Sequence, residues 1–236
     1  HRLAEIRRRG KYLLFHWPTA GGWLILHLGM SGSLRLVPGD GGNDENDGLG
    51  APPGKHDHFD LVFPQTILRF KDPRRFGRID WQPGEDPLVH PLLASLGMEP
   101  LSPGFTPAWL AGALAGRRSP IKPLLMDARF LVGVGNIYAS ESLFRAGISP
   151  LRAAGKIGKQ RLEKLAAAIQ ETLREAIAAG GSSLRDYVHS DGGAGSFQLH
   201  AAVYGRAGQP CPRCGTALRR ILQSGRASFY CPRCQR

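Results

Sequence analysis

The residues best suited to chemistry are four cysteines close to the carboxyl end of the printed chain. They form two C-x-x-C pairs, Cys211-Cys214 and Cys231-Cys234, with sixteen residues between the pairs. This spacing is typical of a four-cysteine zinc ribbon, because each pair chelates from a tight turn and the hairpin between them brings the pairs together. Two disulfides are disfavoured without an export signal, and a redox C-x-x-C would not occur twice. We therefore predict one structural zinc ion, bound by all four thiolates.

The same end of the chain is strongly basic. Residues 205–236 contain seven arginines and no acid, and the hairpin Thr216–Tyr230 carries Arg219, Arg220 and Arg226. The whole chain has 31 Lys+Arg against 19 Asp+Glu, a net charge of +12. This excess favours a polyanion, most commonly nucleic acid, and makes an enzyme of neutral metabolites less favoured.

Lys11 is a candidate for proton transfer or phosphate contact. It follows Arg7-Arg8-Arg9-Gly10 and precedes the apolar segment Tyr12–Phe15. A lysine that enters a buried strand beside other cations has a lowered pKa. A solvated strand end is the alternative for these residues taken alone.

Three further segments carry side chains suited to contact with nucleic acid. In Lys55-His56-Asp57-His58 the two histidines share a strand face, but no third metal ligand is evident, so we expect His56 to contact phosphate or base. Arg74, Arg75 and Phe76 place two guanidinium groups beside an aromatic ring, and Met30 lies between glycines. Apolar wedges and arginines of this kind are used by proteins that distort duplexes and extrude bases. Packing alone is the alternative for each segment singly.

A glycine turn at Gly133 and Gly135 leads into a predicted helix that begins near Asn136. A helix N-terminus offers backbone N–H groups and a positive dipole end to a phosphate. Asn136 adds a side-chain donor, and Lys122 on the preceding helix is predicted to contact the same strand. A tight turn between helices explains the glycines equally well.

The elements that position these residues change from strand to helix along the chain. Turn residues separate six short apolar segments, which predicts a mostly antiparallel β domain. The six predicted strands are Tyr12–Trp17, Trp23–Leu28, Ser33–Val37, Phe59–Phe63, Thr66–Phe70 and Arg75–Trp81. From about Pro91 the pattern is helical, with Thr106-Pro107 and Ser119-Pro120 as start signals. Apolar residues from Leu162 to Ile177 step by three and four, which predicts a long helix from Lys159 to Gly180.

One loop and the absence of long apolar runs complete the organisation. The stretch 38–54 has four acids and no base, which predicts a solvated insertion without function. No apolar run reaches the roughly 18 residues of a membrane helix. We expect a protein without membrane partners that works in the cytoplasm.

Taken in order, these motifs resemble those of the formamidopyrimidine-DNA glycosylase family. The resemblance extends from about Arg7 to the C-terminus and leaves out mainly the stretch 38–54. The matching segments are Arg8–Leu14, His27–Gly32, Lys55–His58, Asp72–Gly77, Ile121–Pro123, Gly133–Glu141 and the two Cys-Pro-Arg-Cys sequences.

The resemblance implies an α+β multidomain fold. It comprises an N-terminal β-sandwich, incomplete at its start, over residues 1–90, a helix-two-turn-helix domain over 91–197 and a zinc-finger β-hairpin over 198–236. It also implies a base-excision repair enzyme that removes 8-oxoguanine and formamidopyrimidines from double-stranded DNA and cuts the abasic strand by β,δ-elimination. An oxidised-pyrimidine glycosylase of the endonuclease VIII type and a non-catalytic binder of damaged DNA are the alternatives. We expect a monomer associated with the nucleoid.

The resemblance also assigns roles to individual residues. Lys11 matches the lysine of β-elimination, and Arg226 matches the arginine of δ-elimination and phosphate contact. The remaining matches are DNA-binding positions. They are His56, Arg74, Arg117, Lys122, Asn136, and the wedge residues Met30 and Phe76, which act with Arg74 to fill the space of the flipped nucleotide. Residues 190–204 match a loop that closes over the flipped base.

The printed chain departs from the family at its start. The family nucleophile is an N-terminal proline followed by a glutamate, whereas this sequence opens His1-Arg2-Leu3. A secondary amine suits attack on C1′, because the resulting iminium acidifies the neighbouring proton. We expect a truncated chain rather than a non-catalytic protein. As printed, the chain is expected to bind abasic duplex without forming the covalent adduct.

Overall fold

A computed structural model describes residues 1–38, 52–181 and 201–236 of the chain. The described residues form two compact units: residues 1–90 with Gly180 and Gly181, and residues 91–179 with 201–236. Most of the predicted insertion at 38–54 and of the predicted lesion loop at 190–204 lies outside the described residues. In the part described, no helix has the length and apolarity needed to cross a bilayer.

The first unit is a β-sandwich of two antiparallel sheets. One sheet has the order β1-β2-β3-β7 and the other the order β4-β6-β5. The strands are β1 (Glu5–Arg9), β2 (Tyr12–Trp17), β3 (Gly22–His27), β4 (Ser33–Pro38), β5 (Asp57–Phe63), β6 (Thr66–Lys71) and β7 (Arg78–Pro83). Phe15 and Leu26 from one sheet pack with Leu34 and Leu68 from the other, so that the core lies between the sheets.

The six predicted strands are confirmed with shifts at their ends, and the structure adds a further strand, β1. β1 was not predicted, because the sequence Glu5–Arg9 contains three arginines and lacks the apolar alternation of a buried strand. It forms because each of its five residues pairs with β2, from Tyr12 to His16. The predicted strand Arg75–Trp81 begins only at Arg78, since Arg75 has a φ of 55° and belongs to a turn.

The second unit begins with helices. They are α1 (Pro91–Ala94), α2 (Pro107–Leu114), α3 (Ile121–Leu125), α4 (Asn136–Ala146) and α5 (Lys159–Ala178). The predicted cap of α2 is confirmed: the Trp109 amide donates to Thr106 Oγ1 at 3.1 Å, and Pro107 opens the helix. The predicted Ser119 cap of α3 is wrong, because Pro120 itself occupies the cap position.

The core of this unit lies between α2, α4 and α5. The predicted stripe of α5 is confirmed at Leu162, Leu165, Ile169 and Leu173, which are buried. Ile177 is 65% exposed, because it lies in the last turn of the helix, beyond the packed core. A β-hairpin follows, formed by β8 (Arg219–Gln223) and β9 (Arg226–Tyr230).

Candidate functional site

In the first unit, the predicted residues gather at one end of the four-stranded sheet. Lys11 is exposed in the two-residue turn between β1 and β2, where Gly10 has a φ of 58°. The next residue, Tyr12, pairs with His27, and His27 pairs with Arg78 at the start of β7. This register brings Lys11, the segment after β3 and the segment before β7 to the same edge.

His27 is part of this edge, although we predicted only a core or surface role for it. Its Nδ1 accepts from the Gly29 amide at 3.0 Å, and its ring lies 4.8 Å from that of Tyr12. Burial, and then the positive charge of Lys11, lowers the pKa of His27. A neutral imidazole therefore stands beside the Lys11 ammonium at pH 7.

Asp72 joins the two segments at this edge. Its side chain is buried, with Oδ1 accepting from Ser31 Oγ at 2.9 Å and Oδ2 accepting from the Gly77 amide at 2.6 Å. A Cβ on Gly29 would lie 2.5 Å from the carbonyl carbon of Phe76, so the two backbones are in direct contact. Asp72 thus fixes the loop 28–33 against the turn 72–77.

The predicted wedge residues project from these two loops. Met30 is 64% exposed and Phe76 is 61% exposed, and the Arg74 guanidinium lies 5.8 Å from the centre of the Phe76 ring. Asp72 fixes the two loops that carry these exposed apolar side chains, and the side chains themselves do not contribute to the core. They form instead an apolar tip with a cation beside it, which suits insertion between stacked bases.

His56 and His58 lie next to the turn 72–77. The Asp72 amide donates to the His56 carbonyl at 2.9 Å, and His58 Nε2 is 3.0 Å from the Asp72 carbonyl. Within the described ranges, the cysteines form the only group of three or more metal-ligating side chains. The two histidines thus belong to the same loop assembly as Asp72.

In the second unit, Lys122 lies where two helices meet the hairpin. Its side chain is 1% exposed, and Nζ donates to Asn136 Oδ1 at 2.5 Å, to Ser228 Oγ at 2.7 Å and to the Ala227 carbonyl at 3.1 Å. An ammonium has three protons, so these bonds use all of them. Burial, and then the charge of Arg226, lowers the pKa of Lys122 to about 8. Lys122, on α3, thus connects α3 with Asn136 on α4 and with Ala227 and Ser228 on β9.

Asn136 extends this network to the segment after residue 200. Its Nδ2 donates to the Tyr204 hydroxyl at 3.3 Å. Glu141, buried on the same helix, accepts from the amides of Ala202, Val203 and Tyr204 at 2.9 to 3.0 Å. Helix α4 therefore fixes both the backbone of residues 202–204 and the Tyr204 ring.

Arg226 is the exposed cation of this cluster. It opens β9 directly after the turn Ser224-Gly225, and it lines a cavity of about 230 Å³ together with Lys122, Asp127 and Gln223. Hydrogen bonds from Arg129, and to a smaller extent the charge of Arg117, lower the pKa of Asp127.

Arg117 stands apart from the Lys122 contacts. Its Nε donates to the Ala113 carbonyl at 2.9 Å, and its guanidinium lies 5.6 Å from the centre of the Phe130 ring.

The four cysteines form the predicted metal site. Their sulfurs all lie within 4.8 Å of one another, with Cys211–Cys234 at 3.9 Å and Cys214–Cys231 at 3.5 Å. Tetrahedral zinc with bonds of about 2.3 Å separates its sulfurs by about 3.8 Å, so the donor set fits. Each pair sits in a turn closed by a backbone bond, from Gly215 to Cys211 and from Gln235 to Cys231. The prediction of one structural zinc ion is confirmed.

The zinc centre packs on the end of α4. Phe144 is buried with Cys211 and Cys231, and the Arg213 guanidinium lies 4.4 Å from the centre of the Phe144 ring. Arg213 also donates to the carbonyls of Phe144 and Arg145, where a cation complements the helix dipole. Gln235 Nε2 donates to the Ile148 carbonyl at 2.8 Å. These contacts hold the hairpin, and with it Arg226, close to Lys122.

Sequence reasoning missed three side chains that organise the clusters. Asp72 stands inside a motif that we identified by its arginines, while Glu141 and Ser228 offer no charge cluster or unusual spacing. All three are buried polar groups. Only the partners that they meet in the fold reveal their role.

Comparisons with known proteins agree along the whole chain. Family models match residues 1–79 as the formamidopyrimidine-DNA glycosylase N-terminal domain, 96–188 as its H2TH domain, and 208–236 as a zinc finger found in FPG and IleRS. The formamidopyrimidine-DNA glycosylase of Dechloromonas aromatica is 60% identical over 238 residues, covering 99% of this chain and 82% of the relative.

Solved structures match over almost the whole chain as well. The MutM (Fpg) protein of Thermus thermophilus has a TM-score of 0.85 at 42% identity, covering 99% of this chain and 83% of that one. Lactococcus lactis Fpg, in a complex with abasic-site DNA, has a TM-score of 0.86 at 34% identity, covering 99% and 82%.

The β-sandwich, the H2TH helices and the four-cysteine finger define a zinc-finger DNA glycosylase of base-excision repair. The chain belongs to the formamidopyrimidine-DNA glycosylase family. The resemblance seen in the sequence is therefore confirmed, as are the expected fold class and the choice of this family over the endonuclease VIII type.

Proposed function

We propose that this protein binds damaged double-stranded DNA, extrudes an oxidised purine and removes it, and then cleaves the abasic strand by β,δ-elimination. The observation that carries the proposal is the exposed tip formed by Met30 and Phe76 with Arg74. Two loops deliver these residues to one place, and the buried Asp72 holds both loops. The abasic-site complex of the Lactococcus lactis relative supports DNA as the partner.

Lys11 is proposed to act in β-elimination from the same sheet edge. It shares this edge with His27, whose lowered pKa keeps the ring uncharged at pH 7. Because the imidazole is neutral, it adds no second positive charge beside Lys11. Lys11 is thus left able to bind a phosphate or transfer a proton. His56, next to the wedge turn, is proposed as a DNA contact.

The second unit is proposed to grip the phosphate backbone. Arg226 is exposed at the start of β9 and would make the direct contact and assist δ-elimination. Lys122 and Asn136 help to hold β9, the strand that Arg226 opens, because Lys122 bonds to Asn136, Ala227 and Ser228. Arg117 adds a cation close enough to Asp127 to lower the pKa of that carboxyl. The network to Tyr204 supports a link to the loop 190–204 that the resemblance assigns to the flipped base.

We further propose a division into three functional regions, residues 1–90, 91–197 and 198–236. The protein is proposed to act as a monomer, in the cytoplasm at the nucleoid, because a single chain carries both clusters. Light scattering coupled to gel filtration, with and without duplex, measures the stoichiometry. A 2:1 protein–DNA complex at a single lesion would contradict the monomer.

Lesion preference is tested with matched duplexes that contain 8-oxoguanine or thymine glycol. We expect excision and strand incision at 8-oxoguanine to be the faster reaction. A clear preference for thymine glycol would point instead to an oxidised-pyrimidine enzyme. The Arg74→Ala variant is expected to lose excision more than binding to undamaged duplex, since it removes a wedge group and leaves the phosphate contacts.

The covalent step is tested by borohydride trapping on abasic duplex. Residues 1–236 are compared with the same chain extended by an N-terminal segment that begins Pro-Glu. We expect both to bind and only the extended chain to be trapped, because the secondary amine forms the iminium. Trapping by residues 1–236 that is lost in Lys11→Ala would make Lys11 the nucleophile, whereas binding without trapping by either chain would favour a non-catalytic role.

A further inference from the structure

Met30 is the most exposed methionine of the chain. The sequence has three methionines, and all of them lie in the described residues. Met30 is 64% exposed, whereas Met98 and Met126 are partly buried against the core of the second unit. Met98 Sδ also accepts from Ser102 Oγ at 3.5 Å. The thioether of Met30 is therefore the one most open to a reagent in solvent.

The exposure of Met30 is built into the loop that carries it. The Gly32 amide donates to the Leu28 carbonyl at 2.9 Å, and Ser31 is buried on Asp72. Gly29 has a φ of 68° and packs on the backbone of Phe76, where no side chain would fit. These contacts fix the backbone on both sides of Met30, so its side chain projects from an ordered loop.

We propose that Met30 is an oxidation site at which peroxide switches off lesion recognition. The sulfur lone pair of Met30 attacks one oxygen of hydrogen peroxide, the O–O bond breaks, and the departing hydroxide takes the remaining proton as water. The thioether is oxidised to a sulfoxide and the peroxide is reduced. The reaction needs only an exposed thioether and the peroxide itself.

The functional consequence rests on the proposed wedge. Oxidation converts a flexible apolar side chain into a polar one. Insertion between bases would then bury a sulfoxide oxygen with no hydrogen-bond partner, which opposes the insertion. We expect affinity for duplex with a tetrahydrofuran site to fall about ten-fold, the order of effect of one buried unpaired polar group. Binding to undamaged duplex, which depends on phosphate contacts, is expected to change little.

Peptide mapping tests the modification site independently of function. The zinc-loaded chain is treated with hydrogen peroxide, and mass spectrometry follows the sulfoxide at each of the three methionines with time. We expect Met30 to oxidise several-fold faster than Met98 and Met126, and excess tetrahydrofuran-site duplex to slow Met30 alone. Equal rates at the three positions would overturn the site. A fast Met30 that the duplex does not protect would overturn its role as a wedge.

Affinity measurements test the consequence. Each protein is compared with its own untreated sample, at peroxide doses that release no zinc as judged by a metal indicator. Treated wild type should lose about ten-fold in affinity and recover it with methionine sulfoxide reductase. Met30→Leu, which lacks the sulfur, should show no change on treatment, whereas Met98→Leu should respond as wild type does.

Two outcomes separate the inference from the proposed function. A full Met30 sulfoxide that leaves lesion affinity unchanged would overturn the switch. If the untreated chain showed no preference for the tetrahydrofuran site over undamaged duplex, the proposed function would fail together with the switch. The mapping result would still decide whether Met30 is the oxidation site.

Discussion

At the residue scale, the exposed groups that we propose to contact DNA depend on buried polar partners. Asp72 lies beneath Met30 and Phe76, and Lys122 lies beside Arg226. Each buried group makes several hydrogen bonds to separate segments, so each fixes the relative position of two elements. A buried group of this kind is costly to remove, because buried donors or acceptors are left without that partner.

Asp72→Ala tests the first of these groups. The methyl group accepts from neither Ser31 Oγ nor the Gly77 amide, so both buried donors lose their partner. We expect the free energy of unfolding to fall by about 1–3 kcal/mol and affinity for tetrahydrofuran-site duplex to weaken. Urea unfolding and fluorescence anisotropy give the two values. Glu163→Ala, at an exposed acid on α5, is the matched control, and an equal effect of both variants would contradict the role of Asp72.

The pH dependence of Lys122 gives a second prediction. The pKa of Lys122 is lowered to about 8 by burial and by Arg226, so the ammonium is present at pH 7 and lost as the pH rises through that value. The neutral amine has one N–H fewer and no charge, so all three contacts persist only if Ser228 Oγ reverses and donates to it. The loss of this cation beside Arg226 weakens the attraction for phosphate. We expect duplex affinity to fall several-fold with a midpoint near 8.

Stability should move in the opposite direction over the same range. The pKa of Lys122 is lower in the folded chain than in the unfolded chain, so the unfolded chain binds more protons above pH 8 and folding becomes more favourable as the pH rises. Titrations of the zinc-loaded chain measure both quantities. Lys122→Met should show neither transition. A wild-type affinity that is flat from about pH 7 to 9 would show that the charge of Lys122 plays no part in binding.

At the element scale, the hairpin of β8 and β9 determines where Arg226 projects. Its two-residue turn has positive φ values at both positions, 47° at Ser224 and 73° at Gly225. This is the pattern of the turn whose twist matches paired antiparallel strands. Arg226 follows the turn directly and pairs with Gln223. A change in the turn conformation would therefore change the position of the Arg226 side chain.

Gly225→Ala should therefore lower both the stability of the fold and the affinity for duplex DNA. Nothing lies within 4 Å of a Cβ at this position, so the cost is backbone strain alone, roughly 1 kcal/mol. Thermal unfolding and duplex affinity are the measurements. Ser224→Gly is the matched control, because it relieves a strained φ in the same turn and should leave the hairpin equally or more stable. If Gly225→Ala were as stable as wild type, the turn would not require glycine.

At the scale of the whole molecule, charge and metal act together. The chain carries a net charge of +12, and its basic C-terminal part is held by a zinc centre that packs on α4. The hairpin itself has little core, since the buried residues around it are mainly the cysteines, Val203, Leu218 and Phe144. The metal is therefore expected to contribute much of its folding energy.

Zinc removal should abolish specific binding. Chelation is expected to release the hairpin, lower the affinity for tetrahydrofuran-site duplex at least ten-fold and reduce the slope of log affinity against log salt, because Arg226 and its neighbours leave the phosphates. Anisotropy at several salt concentrations measures both effects. Restoring zinc should restore binding, and magnesium should not. Unchanged affinity and salt slope after complete chelation would separate the metal from DNA binding.

The sequence by itself determined the zinc ligands, most strands and helices, and the family. These features are local: a C-x-x-C pair chelates from one turn, Thr106-Pro107 caps the helix that it begins, and an apolar stripe defines one face of α5. It failed at β1 and at the start of β7. There, pairing with β2 and the turn at Arg75 override local composition.

Only the tertiary structure decided which buried groups hold the site together. Lys122 was predicted as a phosphate contact, yet its three protons bond to Asn136, Ala227 and Ser228, which are 14 to 106 positions away in the chain. Asp72 joins loops 41 positions apart through Ser31. Hydrogen bonds between distant segments depend on the packing of whole elements, and no local spacing encodes them. That is the physical reason why the sequence could propose the exposed residues of the site but could not show which buried groups hold them in place.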